Sequence, residues 1–332
     1  LIGTLSVELE HLYSEDAVPF PESLSSSYPD AVFRLCSAIN EGGETVVLDA
    51  SDLKFIDPFG LATLRATLES QPGGKKFFVR YMTAEMLSYL IQMHFFEGLE
   101  VEGIDKEIAE NRGLGQANHC VQLMKVSEGN SEQIASRLVY AMTGESGEQG
   151  GSRFDDCIHP IEYALKELLE NALSHAKKDG NGNASVWVAC QHFEDDVVRL
   201  AIVDNGCGFL ATLRGHQQLA EETDLAAIDA ALTERVSCNR GPLVGYETDS
   251  QNQGVGLTTT ARIAQAANGF LVVASGNAWI RTTVDLRKQL DDAHWKGVAI
   301  AFNCQRDQLP NVSIAALLPA VEGIADNDIS FE

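Results

Sequence analysis

The sequence predicts an α/β protein made of two units, a small one over residues 1–105 and a larger one over residues 117–306. Two observations carry this reading. Between residues 45 and 96, β-branched and aromatic runs alternate with helix-patterned runs, as in a small layered α/β domain. In the second half, two helix-patterned segments alternate with strand-like runs, and three short polar and glycine motifs sit at their junctions. Residues 106–116 read as a linker and residues 307–332 as an acidic tail.

The first unit is read in chain order. Thr45 to Ala50 forms a strand, and Phe55-Ile56-Asp57 is a short strand running into a turn. Pro58-Phe59-Gly60 then opens a helix whose apolar stripe is Leu61, Leu64 and Leu68, with Ala66 less regularly placed. Phe77 to Tyr81 is a further strand. Thr83 to Phe96 reads as an amphipathic helix with Met86, Leu87, Leu90 and Met93 near one side.

In the second unit, Ile161, Leu165, Leu168, Ala172 and Ala176 recur at helical spacing and form one stripe. Glu167 and Asn171 stand four apart on another face, so they are neighbours one turn from each other. An amide oxygen suits Mg2+, a hard cation, and a carboxylate can accept a proton from a hydroxyl or water. The same pair also serves as the solvated face of an ordinary helix. Val197 to Val203 is a buried strand that ends at Asp204 and enters the turn Asn205-Gly206-Cys207-Gly208. A carboxylate at a strand end can accept a hydrogen bond from the exocyclic amine of adenine, and glycines let backbone turn sharply beside a flat base. Gly254-Val255-Gly256-Leu257 opens a helix that runs to Ala267 and closes at Asn268-Gly269. Backbone N–H groups bared at such a helix start attract anions. From Gly208 to Gly254 the connection is long, with one helix around Asp224 to Arg235, and reads as a mobile cover over a phosphate chain. Arg214, Arg235 and Arg240 lie in it. Gly269 to Ser275, Trp279 to Leu286 and Gly297 to Asn303 read as three closing strands.

Each motif alone is a weak signal. In this order they resemble the N, G1 and G2 boxes of the GHKL ATPase superfamily, which includes gyrase, Hsp90, MutL, histidine kinases and anti-sigma serine kinases. The resemblance covers about residues 115–306 and implies a two-layer α/β sandwich of the Bergerat type that binds ATP with Mg2+. It places Glu167 as general base and Asn171 as the Mg2+ ligand. Asp204 falls at the adenine-binding position, and Gly206, Gly208, Gly254 and Gly256, with Val255 and Leu257 between and beside them, fall at nucleotide-contacting positions. The closing strands take up the residues after Gly256, which leaves no room for the transducer domain of the gyrase, Hsp90 and MutL types. His94, His119 and His159 lack the setting of a phosphoacceptor histidine, which points to the anti-sigma-kinase branch.

The first unit resembles a STAS domain, the fold of anti-sigma factor antagonists. Val47-Leu48-Asp49, Phe55-Ile56-Asp57, Gly60-Leu61 and Tyr89 to Phe96 carry that resemblance. Such antagonists often carry a phosphorylatable Ser or Thr between the Asp and the Gly of this turn. Here Pro58 and Phe59 stand there, and neither has a hydroxyl. Ser51 and Thr63 nearby read as ordinary cap or surface hydroxyls.

The chain has 332 residues, room for two cores, with 24 Lys and Arg against 48 Asp and Glu and a net charge of −24. That balance argues against a nucleic-acid partner, since phosphate-backbone binding depends on Lys and Arg. The 7 cysteines show no metal-ligand spacing and read as free thiols in a reducing cytoplasm, with Cys207 inside the G1 turn structural. No apolar run is long enough for a membrane span. The chain starts at Leu1, which leaves a trimmed leader open. The expected function is a cytoplasmic ATP-binding regulator of the anti-sigma-factor type that phosphorylates Ser or Thr on a STAS-like or sigma-factor-like protein partner. The alternatives are an ATP-gated interaction module and a slow ATPase. The two units are expected to dock in cis or to pair between the copies of a homodimer.

Overall fold

The computed structural model describes residues 16–104, 120–144, 151–176, 184–233 and 256–312. The first unit contains β1 (Val18–Pro19), β2 (Ser23–Leu24), α1 (Pro29–Glu41), β3 (Thr45–Asp49), β4 (Phe55–Ile56), α2 (Pro58–Glu69), β5 (Lys76–Arg80), α3 (Ala84–Gln92) and β6 (Val101–Glu102). Strands β1, β3, β5 and β6 form a parallel four-stranded sheet in that order, and β2 pairs with β4 beside it. The strands and helices expected between residues 45 and 96 are all present. The helix expected to reach Phe96 stops at Gln92, because His94 takes a positive φ of 59° and turns the chain. Helix α1 has Pro29 at its start, where the missing N–H costs nothing, and buries Val32, Phe33, Leu35, Cys36 and Ile39.

The second unit contains β7 (Cys120–Val126), α4 (Ser131–Thr143), α5 (Asp155–Ala176), β8 (Val186–His192), β9 (Val197–Asp204), α6 (Gly208–Leu213), α7 (Asp224–Ala231), α8 (Gly256–Ala266), β10 (Phe270–Gly276), β11 (Ala278–Arg281), β12 (Leu286–Gln289) and β13 (Trp295–Gln305). The seven strands make one antiparallel sheet in the order β12-β11-β10-β13-β9-β8-β7. The strand expected over Trp279–Leu286 is two strands: β11 ends at Arg281 and β12 begins at Leu286, with Asp285 at φ 45° in the turn between. The first and third expected closing strands fall within β10 and β13. A 3-10 segment at Arg306–Asn311, with Leu309 buried, carries the second unit past residue 306. The linker over 106–116 and the tail beyond residue 312 lie outside the described residues.

Side chains alternate across this sheet, as the two-residue period of a strand demands. Val198, Leu200 and Ile202 of β9, Val298, Ile300 and Phe302 of β13, and Leu271 and Val273 of β10 face α4, α5 and α8 and form one core. The opposite face carries the small residues Ala189, Ala201, Ala274, Ala299 and Ala301, together with Trp187, Trp279 and Trp295, and belongs to the core of the first unit. Helix α2 lies on that alanine surface. Its residues Pro58 to Leu68 are all buried, so it is a helix enclosed on every side rather than a one-striped surface helix. Its threonines are satisfied locally. Thr63 and Thr67 hydroxyls donate to carbonyls one turn back, Phe59 O at 2.7 Å and Thr63 O at 2.9 Å. Arg65 donates to Phe95 O and Glu97 O and stacks 4.4 Å from the Trp187 ring. Thr63 is therefore a core hydroxyl, not a surface one.

Polar contacts cross the seam between the units as well. Trp279 Nε1 donates to Asp30 at 2.6 Å, Tyr89 Oη to Gln191 at 2.8 Å, and Arg281 to the carbonyls of Ser26 and Ser27. The backbone of Leu123 donates to Met93 O at 3.1 Å. Docking in cis is thus a property of the fold. Among the described residues, no helix is long and apolar enough to cross a membrane, and the described cysteines are free. Cys238 lies outside the described residues.

Candidate functional site

The site is built where the second unit's helices meet the end of β9. Helix α5 carries Glu167 and Asn171 one turn apart, with Leu165, Leu168 and Leu169 holding it to the sheet. Glu167 is 4% exposed, and its Oε2 has no hydrogen-bond partner among the described residues. Burial, followed by the charge of Glu170, pushes its carboxyl above the usual range. Helix α8 arrives at this pair with Gly256 in its first turn. A Cβ on Gly256 would lie 3.2 Å from Glu167 Cβ and 3.7 Å from Asn171 Nδ2, so the two helices touch there. Two motifs distant in sequence meet at one point.

The third motif joins them through a cavity of about 750 Å³, counting the space at its open mouth. Its walls include Leu168, Ile202, Phe209, Leu257, Val298 and Ile300, and its polar lining is Asn171, His175, Asp204 and Thr212. A largely apolar slot with a few convergent polar groups is the usual form of a site for a flat organic ligand. Asp204 pairs with Val186 at the end of β9 and is 4% exposed. Its Oδ1 accepts from Gly206 N at 2.9 Å and Val298 N at 3.2 Å. Burial raises its carboxyl to about 7, although both backbone donors pull the other way. Among the described residues no hydrogen bond to Oδ2 is seen, and Asp204 lines the cavity.

The glycines of this turn answer to the protein itself. A Cβ on Gly206 would lie 2.4 Å from Ala176 Cα at the end of α5. Gly208 takes φ +78°, a left-handed conformation that glycine tolerates, and leads into α6, where Phe209 N donates to Ser275 Oγ at 3.0 Å. At both positions the fold itself calls for glycine. Gly254 and Val255 lie outside the described residues, as do Arg235 and Arg240. Arg214 is exposed and 3.8 Å from Glu222. Within the expected cover, α7 is tied to the sheet through Asp224, which accepts from Asn277 N at 3.0 Å, and Ala231 walls the cavity.

Two residues were missed in the sequence. His175 lines the cavity and stands four beyond Asn171, so extending the 167, 171 spacing by one turn would have found it. Gly297 lies where β13 passes Asp204, and a Cβ there would meet Asp204 O at 2.0 Å. A lone glycine in a strand marks such close approaches.

Residues 158–291 match the family model described as histidine kinase-, DNA gyrase B-, and HSP90-like ATPase. No curated protein and no solved structure matches the chain. The match supports placing this region in the GHKL superfamily, and it supports an ATP-binding domain of the ATPase or kinase type with the α/β fold described above. The matched stretch contains all the motif residues and begins after the first unit.

The cavity fits the nucleotide that this class binds. The carboxyl of Asp204 offers an acceptor, the apolar walls suit a purine, and Glu167 and Gly256 stand next to Asn171 of the lining.

Proposed function

We propose that the protein is a regulatory kinase of the anti-sigma-factor type that transfers the γ-phosphoryl group of Mg·ATP to a Ser or Thr of a separate protein. The observation that carries this is the meeting of Glu167, Asn171 and Gly256 beside a cavity that Asn171 and Asp204 both line. Asp204 Oδ2 would accept from the adenine amine, and the Asn171 side-chain oxygen would hold Mg2+. Bound Mg2+ would neutralise charge on the phosphates. The first-turn N–H groups of α8 would face those phosphates, as helix N-termini face anions. Glu167, its carboxyl raised by burial, would draw the proton from the acceptor hydroxyl. Phosphoryl transfer depends mainly on positioning and charge stabilisation, so this set of groups suffices.

The STAS-like reading of the first unit is part of the proposal and constrains the acceptor. Asp57-Pro58-Phe59-Gly60 is buried at the seam, on the sheet face opposite the cavity, and lacks a hydroxyl at Pro58 and Phe59. The first unit is therefore a poor substrate in cis, and a protein partner in trans, STAS-like or sigma-factor-like, or a second copy, is the candidate. The same observation favours a second reading, in which ATP gates partner capture and turnover is incidental.

Calorimetry with Mg·ATP tests the site. Asn171→Ala is expected to weaken binding in Mg2+ by about 1–3 kcal/mol, as for loss of a buried polar contact, with little change when Mg2+ is chelated. Equal binding by both chains in Mg2+ would remove Asn171 from the site. Glu167→Ala separates the two readings. Loss of phosphate transfer from γ-labelled ATP with partner capture preserved identifies a kinase. Capture that depends on ATP, in a wild type that transfers nothing, identifies a gate.

A further inference from the structure

We propose that the first unit braces the adenine end of the nucleotide site, with Asn205 as the positioning residue that ties the Asp204 turn to helix α2. The inference rests on the nucleotide reading of the cavity and adds what holds it in shape. Asn205 lies between Asp204 and Gly206, and Gly206 N is one of the two donors that fix Asp204 Oδ1. Asn205 does not line the cavity. Its Oδ1 accepts from Ser185 N at 2.7 Å, its own N–H donates to Ser185 O at 3.3 Å, and its Nδ2 donates to Ala66 O at 3.5 Å.

Ala66 belongs to the first unit, in the last turn of α2. The contact at 3.5 Å is long for a hydrogen bond, and its effect comes from how firmly its neighbours are set. Glu69, three residues further on, accepts from Trp187 Nε1 at 2.7 Å and from Lys125 Nζ at 2.8 Å. Trp187 pairs with Val203 in the ladder, next to the Val186 and Asp204 pair. Arg65 stacks on the same Trp187 ring. The C-terminal half of α2 is thus fastened to the strands from which the turn departs. On the other side, Gly206 sits against Ala176 with no room for a Cβ. The turn is held between α5 of its own unit and α2 of the other.

A brace of this kind acts on recognition of the base, not on the phosphates. ATP and inosine triphosphate differ at purine C6, amine against carbonyl, and carry the same triphosphate, so the ratio of their dissociation constants reads the aim of Asp204. The full chain is expected to prefer ATP. Asn205→Asp keeps an acceptor for Ser185 N and removes the donor to Ala66 O. Its added charge acts on both triphosphates alike. We expect the ATP dissociation constant to rise about tenfold, equivalent to about 1.4 kcal/mol, while that for inosine triphosphate changes much less. Glu69→Gln, which loosens α2 without touching the turn, is expected to lower the preference in the same direction, and it serves if Asn205→Asp fails to fold. A merely structural role would weaken both nucleotides equally and leave the ratio unchanged, and that result in both variants would overturn the brace while leaving the cavity reading intact. A wild type that binds neither nucleotide, or binds both equally, would overturn the cavity reading itself and the brace with it.

Discussion

Asp204→Asn is expected to weaken ATP binding strongly and, at pH 8, to make the ligand-free chain more stable. The two effects have one origin. Asp204 is buried, and only Oδ1 is held by backbone donors. In the variant the side-chain oxygen can keep both of those bonds, while an amide nitrogen replaces Oδ2 at the cavity wall. A donor then faces the adenine amine, and binding is expected to fall by about 2–3 kcal/mol, the worth of a hydrogen bond to a charged group.

The stability effect follows from the carboxyl, raised by burial to about 7 from the ordinary 3.8. Below the ordinary value, folded and unfolded chains both hold the proton and Asp204 costs nothing. Between the two values the folded chain holds the proton and the unfolded chain does not, so stability falls as pH rises. Above about 7 the folded chain carries a buried ionised carboxylate at full cost. At 1.36 kcal/mol per pH unit that cost is of the order of 4 kcal/mol. The asparagine variant does not titrate. Its melting temperature should exceed that of the wild type at pH 8, and the gap should close as pH falls toward 4. A gap that does not change with pH would mean that the Asp204 carboxyl titrates as an exposed one does.

What was legible in the sequence follows the reach of local pattern. Glu167 and Asn171 share a helical face, and Asp204 ends a β-branched run, so both could be read from a few neighbouring residues. Asn268, with its positive φ of 54°, closes α8 where Asn-Gly foretold it. Two-residue strands such as β1 and β2 are too short to show any period. The break after Arg281 was hidden because the turn through Thr282 and Val284 is rich in strand-forming residues. The docking of the units was hidden for another reason. The small residues Ala189, Ala201, Ala274, Ala299 and Ala301 come from four strands, and only the sheet assembles them into a bed for α2. In the sequence, α2 shows a stripe because Leu61, Leu64 and Leu68 recur at helical spacing, while the small Ala62, Thr63, Ala66 and Thr67 between them do not read as core.

Asp57→Ala tests whether that bed makes the two units one folding body. Asp57 is fully buried and caps α2: Oδ1 accepts from Phe59 N at 3.0 Å and Gly60 N at 3.1 Å. Its Oδ2 accepts from Ser26 N at 3.0 Å, Ser26 Oγ at 2.8 Å and, across the seam, Arg199 Nη1 at 3.3 Å. Arg199 lies over the rings of Phe55 and Phe193, one from each unit, and its Nε has no partner. Removing the carboxylate leaves a mostly buried guanidinium without its counter-charge and a helix without its cap. Breaking a buried ion pair from one side costs about 3–5 kcal/mol, a large share of the stability of an ordinary domain. Asp57→Asn is expected to come close to this loss. It keeps an acceptor for the helix but turns a donor toward Ser26 and Arg199. Because one apolar core runs from Phe20 through α2 to Ala301, urea unfolding of the wild type should be a single transition, and Asp57→Ala should move the whole of it to lower urea. Two transitions, with only the first moved, would mean that α2 merely rests on the sheet and that the second unit folds without it. In that case the nucleotide site would stand on the second unit alone.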